Sequence, residues 1–183
     1  MLLRLRQIRR IRRSLDAESA KTLVHAFITS HIDSCNTVLA GSPRTITDRL
    51  QRLLNAAARV VSNNGKFDRG LTHLLHSELH WLDVPQRILQ KLGVTVHRCL
   101  QGMQGSPAPR EVMPSHIGRC QSPATSIFVV PRHRCSTLGR RAFFVAGPMA
   151  WNALPDDLRD PSLSADNFRK TLKTHLFRNR LDT

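Results

Sequence analysis

The strongest constraint on how this chain folds is the spacing of the apolar residues between Leu50 and Val61. Counted from Leu50, they recur after three, four, seven, eight and eleven residues, which places all of them on one face of an α-helix. Comparable patterns occupy most of the first 101 residues and are separated by Gly, Pro and Asn. The sequence therefore predicts a helical domain over residues 1–101.

The pattern changes after residue 101. Residues 102–125 are rich in Gly, Pro and Ser and have no sustained period, which is typical of a linker or long loop. Two short apolar runs, Ile127–Val130 and Ala142–Val145, are expected to form a two-stranded β element. A last helix then begins after Ser164, its predicted N-cap. The expected fold is mainly α: a helical bundle (1–101), a long loop (102–125), and a β-hairpin plus C-terminal helix (126–183).

The charge of the chain points to a polyanionic partner. It contains 28 Lys and Arg against 13 Asp and Glu, a formal net charge of +15, and nucleic acid is the commonest partner of a domain this basic. The alternative is a solvated basic surface with no partner. Three segments concentrate the cations, and their candidate phosphate contacts are Arg4, Arg6, Arg9, Arg10, Arg12, Arg13, Arg132, Arg134, Arg140, Arg141, Lys170 and Lys173. Such contacts would hold RNA or an RNA–DNA hybrid without reading its sequence.

The sequence also indicates a compartment. No run of about 18 apolar residues is present, so no membrane span is expected. The four cysteines form no CxxC pair, which is typical of reduced thiols in an intracellular protein, cytoplasmic or nuclear. The first fifteen residues are Arg-rich and amphipathic like a mitochondrial presequence, so mitochondrial import is an alternative.

No catalytic residue is predicted. Asp156 and Asp157 are adjacent acids, but they follow Pro155, which favours a first helical turn whose dipole they would stabilise. Trp151, between two prolines, is interpreted as a buried packing residue, and Gly147 as a point of close backbone approach. Trp81 is interpreted as core, with base stacking as the alternative. The predicted structural residues are thus Trp81, Trp151, Pro148 and Pro155.

Metal and cofactor sites are not predicted either. Zinc-ligand atoms are carried by His97, Cys99, His116, Cys120, His133 and Cys135, but single-residue spacers separate two of the His and Cys pairs, where structural zinc sites use two to four residues. The chain has no GxSxG, P-loop or GxGxxG pattern. No cofactor and no small-molecule substrate are therefore expected.

Six segments, in order, resemble one protein family. They are LRQIRRIRRSL, AKTLVHAFITSHIDSCN, LQRLLNAAARVV, LHWLDVPQRI, GRRAFFVAGPMAWNALPDDLRD and FRKTLKTHLF. Their succession resembles the C-terminal third of the reverse transcriptase of non-LTR, LINE-type retrotransposons of the jockey and chicken-repeat clades. The chain departs from the family at Ser34, where an aromatic is usual, and over residues 102–124.

The resemblance implies a position after the polymerase palm, in the helical thumb and the region beyond it. That part helps to hold the RNA template and the RNA–DNA duplex, with the palm as a further partner, and it contains no polymerase or endonuclease active site. The first hypothesis is therefore a non-enzymatic, nucleic-acid-binding fragment. The alternative is a retrotransposon relic or a protein-interaction scaffold whose charge is inherited.

Overall fold

A computed structural model describes residues 2–34, 36–65, 69–105, 127–132, 139–160 and 162–181. Over these ranges the backbone is mainly helical, which confirms the predicted fold class. The helices are α1 (Leu2–Ile11), α2 (Ala17–Val24), α3 (Ser30–Ser34), α4 (Arg44–Ser62), α5 (Leu71–His73), α6 (Val84–Gly105), α7 (Phe143–Asn152) and α8 (Ala165–Leu181).

Short irregular turns extend these helices. A π-helical turn, His25–Thr29, joins α2 to α3, and a second one, Leu74–Glu78, continues α5. The 3-10 turns are Arg12–Ser14, Asn36–Leu39, Gly139–Arg141 and Asp156–Leu158.

The chain divides into two compact units. Unit 1 comprises Met1–Asn36 and Pro43–Arg87, and unit 2 comprises Thr37–Ser42 and Ile88–Thr183. Helix α6 continues through residues 102–105, where the loop was expected to begin. Residues 106–125 lie outside the described ranges, so the rest of the predicted loop and the domain boundaries stay predictions.

Unit 1 is built around α4. The predicted apolar stripe is buried from Leu53 to Val61, and α4 packs against α1 and α2. On α1, Leu5 and Ile8 are both buried. Burial of these aliphatic faces is the main favourable contribution to folding of this unit.

The predicted helix ends are present in the structure. The Asp16 carboxylate accepts a hydrogen bond from the Ser19 amide at 3.2 Å, and this bond lowers the pKa of Asp16. Asn63 ends α4 in the left-handed conformation, with φ of 59°. The Ser164 hydroxyl accepts from the Asn167 amide at 3.3 Å and so caps α8. Local polar residues therefore set these three boundaries.

Unit 2 has an aromatic core. Trp151, Phe168 and His97 are each at most 1% exposed. The His97 ring stacks on Phe168, with 4.2 Å between centroids and 6° between planes. The Trp151 and Phe168 ring centroids are 5.7 Å apart. Three helices, α6, α7 and α8, each contribute one ring to this core.

The structure corrects the predicted second strand. Residues Phe143 to Val145 are the first turn of α7, and the amides of Val145 and Ala146 both donate to the Ala142 carbonyl at 2.9 Å. Ala142–Val145 is an apolar run of only four residues, and such a short run does not by itself distinguish a strand from the start of a helix.

The predicted first strand, Ile127–Val130, pairs with a side chain. Phe128 occupies a β-bridge position. Its amide donates to Oδ1 of Asn152 at 2.9 Å, and its carbonyl accepts from Nδ2 of Asn152 at 2.8 Å. The side chain of Asn152, at the end of α7, thus binds both backbone groups of Phe128.

Close packing between α6 and α7 depends on Gly147. A Cβ atom at this position would lie 3.1 Å from Cγ2 of Val96, so the expected close approach is confirmed. Pro148 follows within α7. Because glycine has no Cβ atom, Gly147 also avoids the steric clash that the residue before a proline otherwise makes with the proline ring.

Gly147→Ala should lower the free energy of unfolding by about 1 kcal/mol. Overpacking destabilises by about 1–3 kcal/mol, and the higher helix propensity of alanine offsets at most about 1 kcal/mol of this. Gly102→Ala is the control, because no described atom lies within 4 Å of its Cβ; it should raise stability by up to about 1 kcal/mol. Urea unfolding followed by circular dichroism measures both, and equal stabilisation by the two substitutions would contradict the packing account.

Buried His97 should make stability depend on pH. Burial lowers the pKa of His97 from 6.5, and the Leu163 carbonyl opposes this only in part. The unfolded chain therefore binds the proton first as the pH decreases. Above about pH 6.5, His97 should not make the free energy of unfolding depend on pH. Below that pH, the free energy of unfolding should decrease by up to about 1.4 kcal/mol per pH unit.

Urea titrations at a series of pH values test this dependence. His97→Leu should reduce the slope, whereas His31→Gln should keep it, because His31 is exposed. A slope unchanged by His97→Leu would show that another group is responsible.

Candidate nucleic-acid interface

Exposed arginines cover the solvent side of α1 and the turn that follows it. The buried face of α1 is formed by Leu5 and Ile8, and the other residues of the helix from Leu3 to Ile11 are exposed. We name the N-terminal arginine cluster as the four exposed residues Arg6, Arg9, Arg10 and Arg13.

Acidic residues do not neutralise this cluster. None occurs before Asp16. Several acids of unit 1 are used elsewhere: Asp33 pairs with Arg87 at 2.7 Å, Asp83 accepts from Gln51 at 3.0 Å, and Asp16 caps α2. Within the described part of unit 1, the cluster has no ion pair with any carboxylate. Its charge is therefore available to an external anion.

Arg12 differs from its neighbours. It is half-buried, and its Nε and Nη2 donate to the carbonyls of Val60 and Val61, each at 2.8 Å. Its Nη1 donates to Leu15 at 2.8 Å. The two α4 carbonyls belong to the last helical turn and lack helical donors. Arg12, predicted as a phosphate contact, is thus the C-terminal cap of α4.

Arg4 also has an internal contact. Its guanidinium carbon lies 5.5 Å from the centroid of the Phe27 ring, within the range of a cation–π interaction. Both side chains are exposed, so Arg4 remains accessible to a phosphate.

The second basic segment is only partly described. Arg132 is exposed. Arg141 donates from Nε and Nη2 to the Val38 carbonyl, at 3.2 and 3.0 Å, and so connects two segments of unit 2. Arg134 and the side chain of Arg140 lie outside the described residues. Arg141 therefore has a structural contact, and Arg132 is the exposed cation of this segment that the structure describes.

The third segment lies on α8 in unit 2, where Lys170 and Lys173 are exposed. The cations of α1 belong to unit 1 instead. Each unit therefore has its own exposed basic helix.

Two of the three predicted structural residues of unit 2 are buried, and the third, Pro155, is exposed. Trp151 and Pro148 are buried, and Pro155 precedes the 3-10 turn Asp156–Leu158. Asp156 pairs with Arg159 within this turn. The adjacent aspartates therefore contribute to a helical turn and a local ion pair.

Trp81, in unit 1, is half-buried. The Arg87 guanidinium lies over its ring at 5.9 Å, and Arg87 in turn binds Asp33 and the Leu82 carbonyl. Arg87 thus covers part of the ring that a nucleobase would need for stacking.

The zinc-ligand atoms identified in the sequence are not gathered in the described residues. His97 lies in the aromatic core, and Cys99 is a free, half-buried thiol. The other four fall outside the description. Where the structure describes side chains, no group of three His, Cys, Asp or Glu is placed to hold a metal ion.

Sequence reasoning missed three cations on α4. Arg44, Arg49 and Arg52 are exposed, with Asp48 as the acid among them. Their exposure could have been predicted from the sequence, because they lie outside the apolar stripe of a clearly periodic helix. They increase the exposed positive charge of unit 1.

Among the described residues, no helix has both the length and the apolar character to cross a membrane. No protein-family model, curated protein or solved structure matches the chain. What the chain binds must therefore be inferred from its own charge and geometry.

Arg12→Gln should lower the free energy of unfolding by about 1–3 kcal/mol, because it removes charge-assisted hydrogen bonds to the end of α4. Arg13→Gln removes the same charge one residue away, at an exposed position, and should change stability by less than about 0.5 kcal/mol. Urea unfolding of both variants tests the assignment. Equal effects would mean that Arg12 does not act as a cap.

Proposed function

We propose that this chain is a non-enzymatic protein that binds RNA or an RNA–DNA hybrid through phosphate contacts. The observation that carries the proposal is the N-terminal arginine cluster, four exposed guanidinium groups without a carboxylate partner among the described residues. A guanidinium group matches the oxygens of a phosphate in a bidentate arrangement and is always charged. Contacts with phosphates position a duplex but do not identify its bases.

The spacing of the cluster suits a repeating anion. Three of the four arginines lie on α1, whose apolar face is buried, and Arg13 lies on the 3-10 turn that follows, so they form a continuous charged surface. Neutralising phosphates with such a surface releases condensed counterions, which drives binding at low salt. The exposed cations of α4 belong to the same unit and would add to this attraction.

We further propose that the chain corresponds to the thumb and post-thumb part of a LINE-type reverse transcriptase. The support is the order of the six resembling segments and the helical fold. On this proposal the polymerase palm is a second partner, and the protein acts in the cytoplasm or the nucleus. The alternative, a relic or scaffold with inherited charge, predicts no salt-sensitive binding.

Fluorescence anisotropy with a labelled RNA–DNA hybrid tests the proposal. The logarithm of the binding constant should fall linearly with the logarithm of salt concentration, with a slope of about −0.9 per phosphate contact. The double substitution Arg9→Gln and Arg10→Gln should reduce the slope by about 1.8, because two contacts are lost.

The matched control is Lys91→Gln with Arg98→Gln, which removes the same charge from exposed positions of α6. It should change the slope less than the α1 variant does. Equal slopes in both variants would mean that net charge alone attracts the hybrid. A folded chain without salt-sensitive binding would favour the relic.

A further inference from the structure

Unit 2 has a basic surface of its own on α8. Phe168, Leu172 and Leu176 form the buried face of this helix. Three exposed cations lie outside that face, and their side chains make no hydrogen bond or ion pair among the described residues: Arg169, Lys170 and Arg178. We call these three residues the α8 cations. Lys173 is not one of them, because its ammonium nitrogen already lies 5.7 Å from the centroid of the Phe177 ring.

Acidic residues near α8 do not neutralise the α8 cations. After Asp166, α8 contains no acidic residue, and Asp166 itself lies in the first turn, where it stabilises the positive end of the helix dipole. Before the helix, Asp156 pairs with Arg159, and Asp160 accepts from the Ser162 amide at 2.8 Å. Unit 2 therefore offers a second set of cations to an external anion.

The two sets of cations belong to different compact units. The N-terminal arginine cluster lies in Met1–Asn36 of unit 1, and the α8 cations lie in Ile88–Thr183 of unit 2. Both sets would contact phosphates, which are the same in every strand and carry no sequence information. One chain therefore has two separate attachment points for nucleic acid, and neither requires a particular sequence.

We propose that the chain anneals complementary RNA and DNA strands by binding one strand to each unit. This inference rests on the proposed function and adds an activity to it. Two free strands repel each other through their phosphates, and cations that neutralise phosphates reduce this repulsion. Attachment to one chain also makes the encounter of the strands intramolecular, which raises their effective concentration. Base pairing then supplies the specificity that the chain itself does not need.

An annealing assay with fluorophore-labelled RNA and complementary quencher-labelled DNA tests the inference on the full chain. The chain should accelerate quenching by at least about tenfold, since linking two binding sites increases avidity about 100-fold or more. The rate should pass through a maximum as more chain is added, because in excess the two strands are occupied by separate chains. A rate that rises to a plateau would overturn the inference, since charge screening alone gives no maximum.

Removing either set of cations should remove the acceleration. The unit 1 variant is Arg9→Gln with Arg10→Gln. The unit 2 variant is Lys170→Gln with Arg178→Gln, two positions eight residues apart on the same face of α8. Each variant should anneal the strands within about twofold of the spontaneous rate, because a chain with one functional set attaches only one strand. Circular dichroism of each variant checks that helicity is kept.

A mixture of these two variants gives the sharpest test. Each variant retains the set that the other lacks, so the mixture presents both sets, but never on one chain. Annealing in the mixture should remain as slow as with either variant alone. Restored acceleration would show that separate chains suffice, and would overturn the inference.

The matched control is Lys91→Gln with Arg98→Gln, which removes the same charge from exposed positions of α6. This variant should keep most of the acceleration. If it anneals the strands as slowly as the other two variants, net charge explains the activity and the inference is overturned.

The outcomes also separate the inference from the proposed function. If the parent chain binds the RNA–DNA hybrid with a steep salt slope but does not accelerate annealing, the annealing activity is wrong and the proposed function stands. If the parent neither binds the hybrid nor accelerates annealing, both are overturned.

Discussion

Repulsion between like charges is the constraint on which the rest of this structure depends. The chain carries a formal net charge of +15, and an excess of this size destabilises a compact state. The described structure limits the cost by placing most cations on the outside of helices whose inner faces are aliphatic or aromatic. Because several acids cap helices or pair with other residues, the N-terminal arginine cluster has no carboxylate partner among the described residues. A polyanion would relieve that repulsion, which connects the fold to the proposed function.

Arginine has two different roles in this molecule, and position decides between them. Arg12, Arg87 and Arg141 donate to backbone carbonyls, and each connects segments that are far apart in the sequence or supports a turn. The exposed arginines of the N-terminal cluster lie within six residues of Arg12 in the sequence, yet they make no such contact among the described residues. Charge clustering therefore overstates the size of a binding surface, since some of its members stabilise the fold.

Much of the fold could be predicted because its signals are local. The α4 stripe, the Asp16 and Ser164 caps and the end of α4 at Asn63 all follow from residues within one or two turns. Sequence reasoning places Ala142–Val145 in a strand because a short apolar run does not by itself distinguish a strand from a helix. The roles of Arg12 and Arg141 were not predictable, since their partners lie 48 and 103 residues away in the chain. Partners at such distances require the tertiary structure.

The most direct test of the central claim, that the N-terminal arginine cluster has no carboxylate partner among the described residues, needs no ligand. Urea unfolding of the chain at about 10 mM and about 100 mM salt compares screening lengths of about 30 Å and about 10 Å. Screening weakens repulsion between uncompensated cations, so the free energy of unfolding should rise with salt, and Arg9→Gln with Arg10→Gln should reduce that rise. A free energy that falls with salt would show that attractive ion pairs dominate, and would contradict the account.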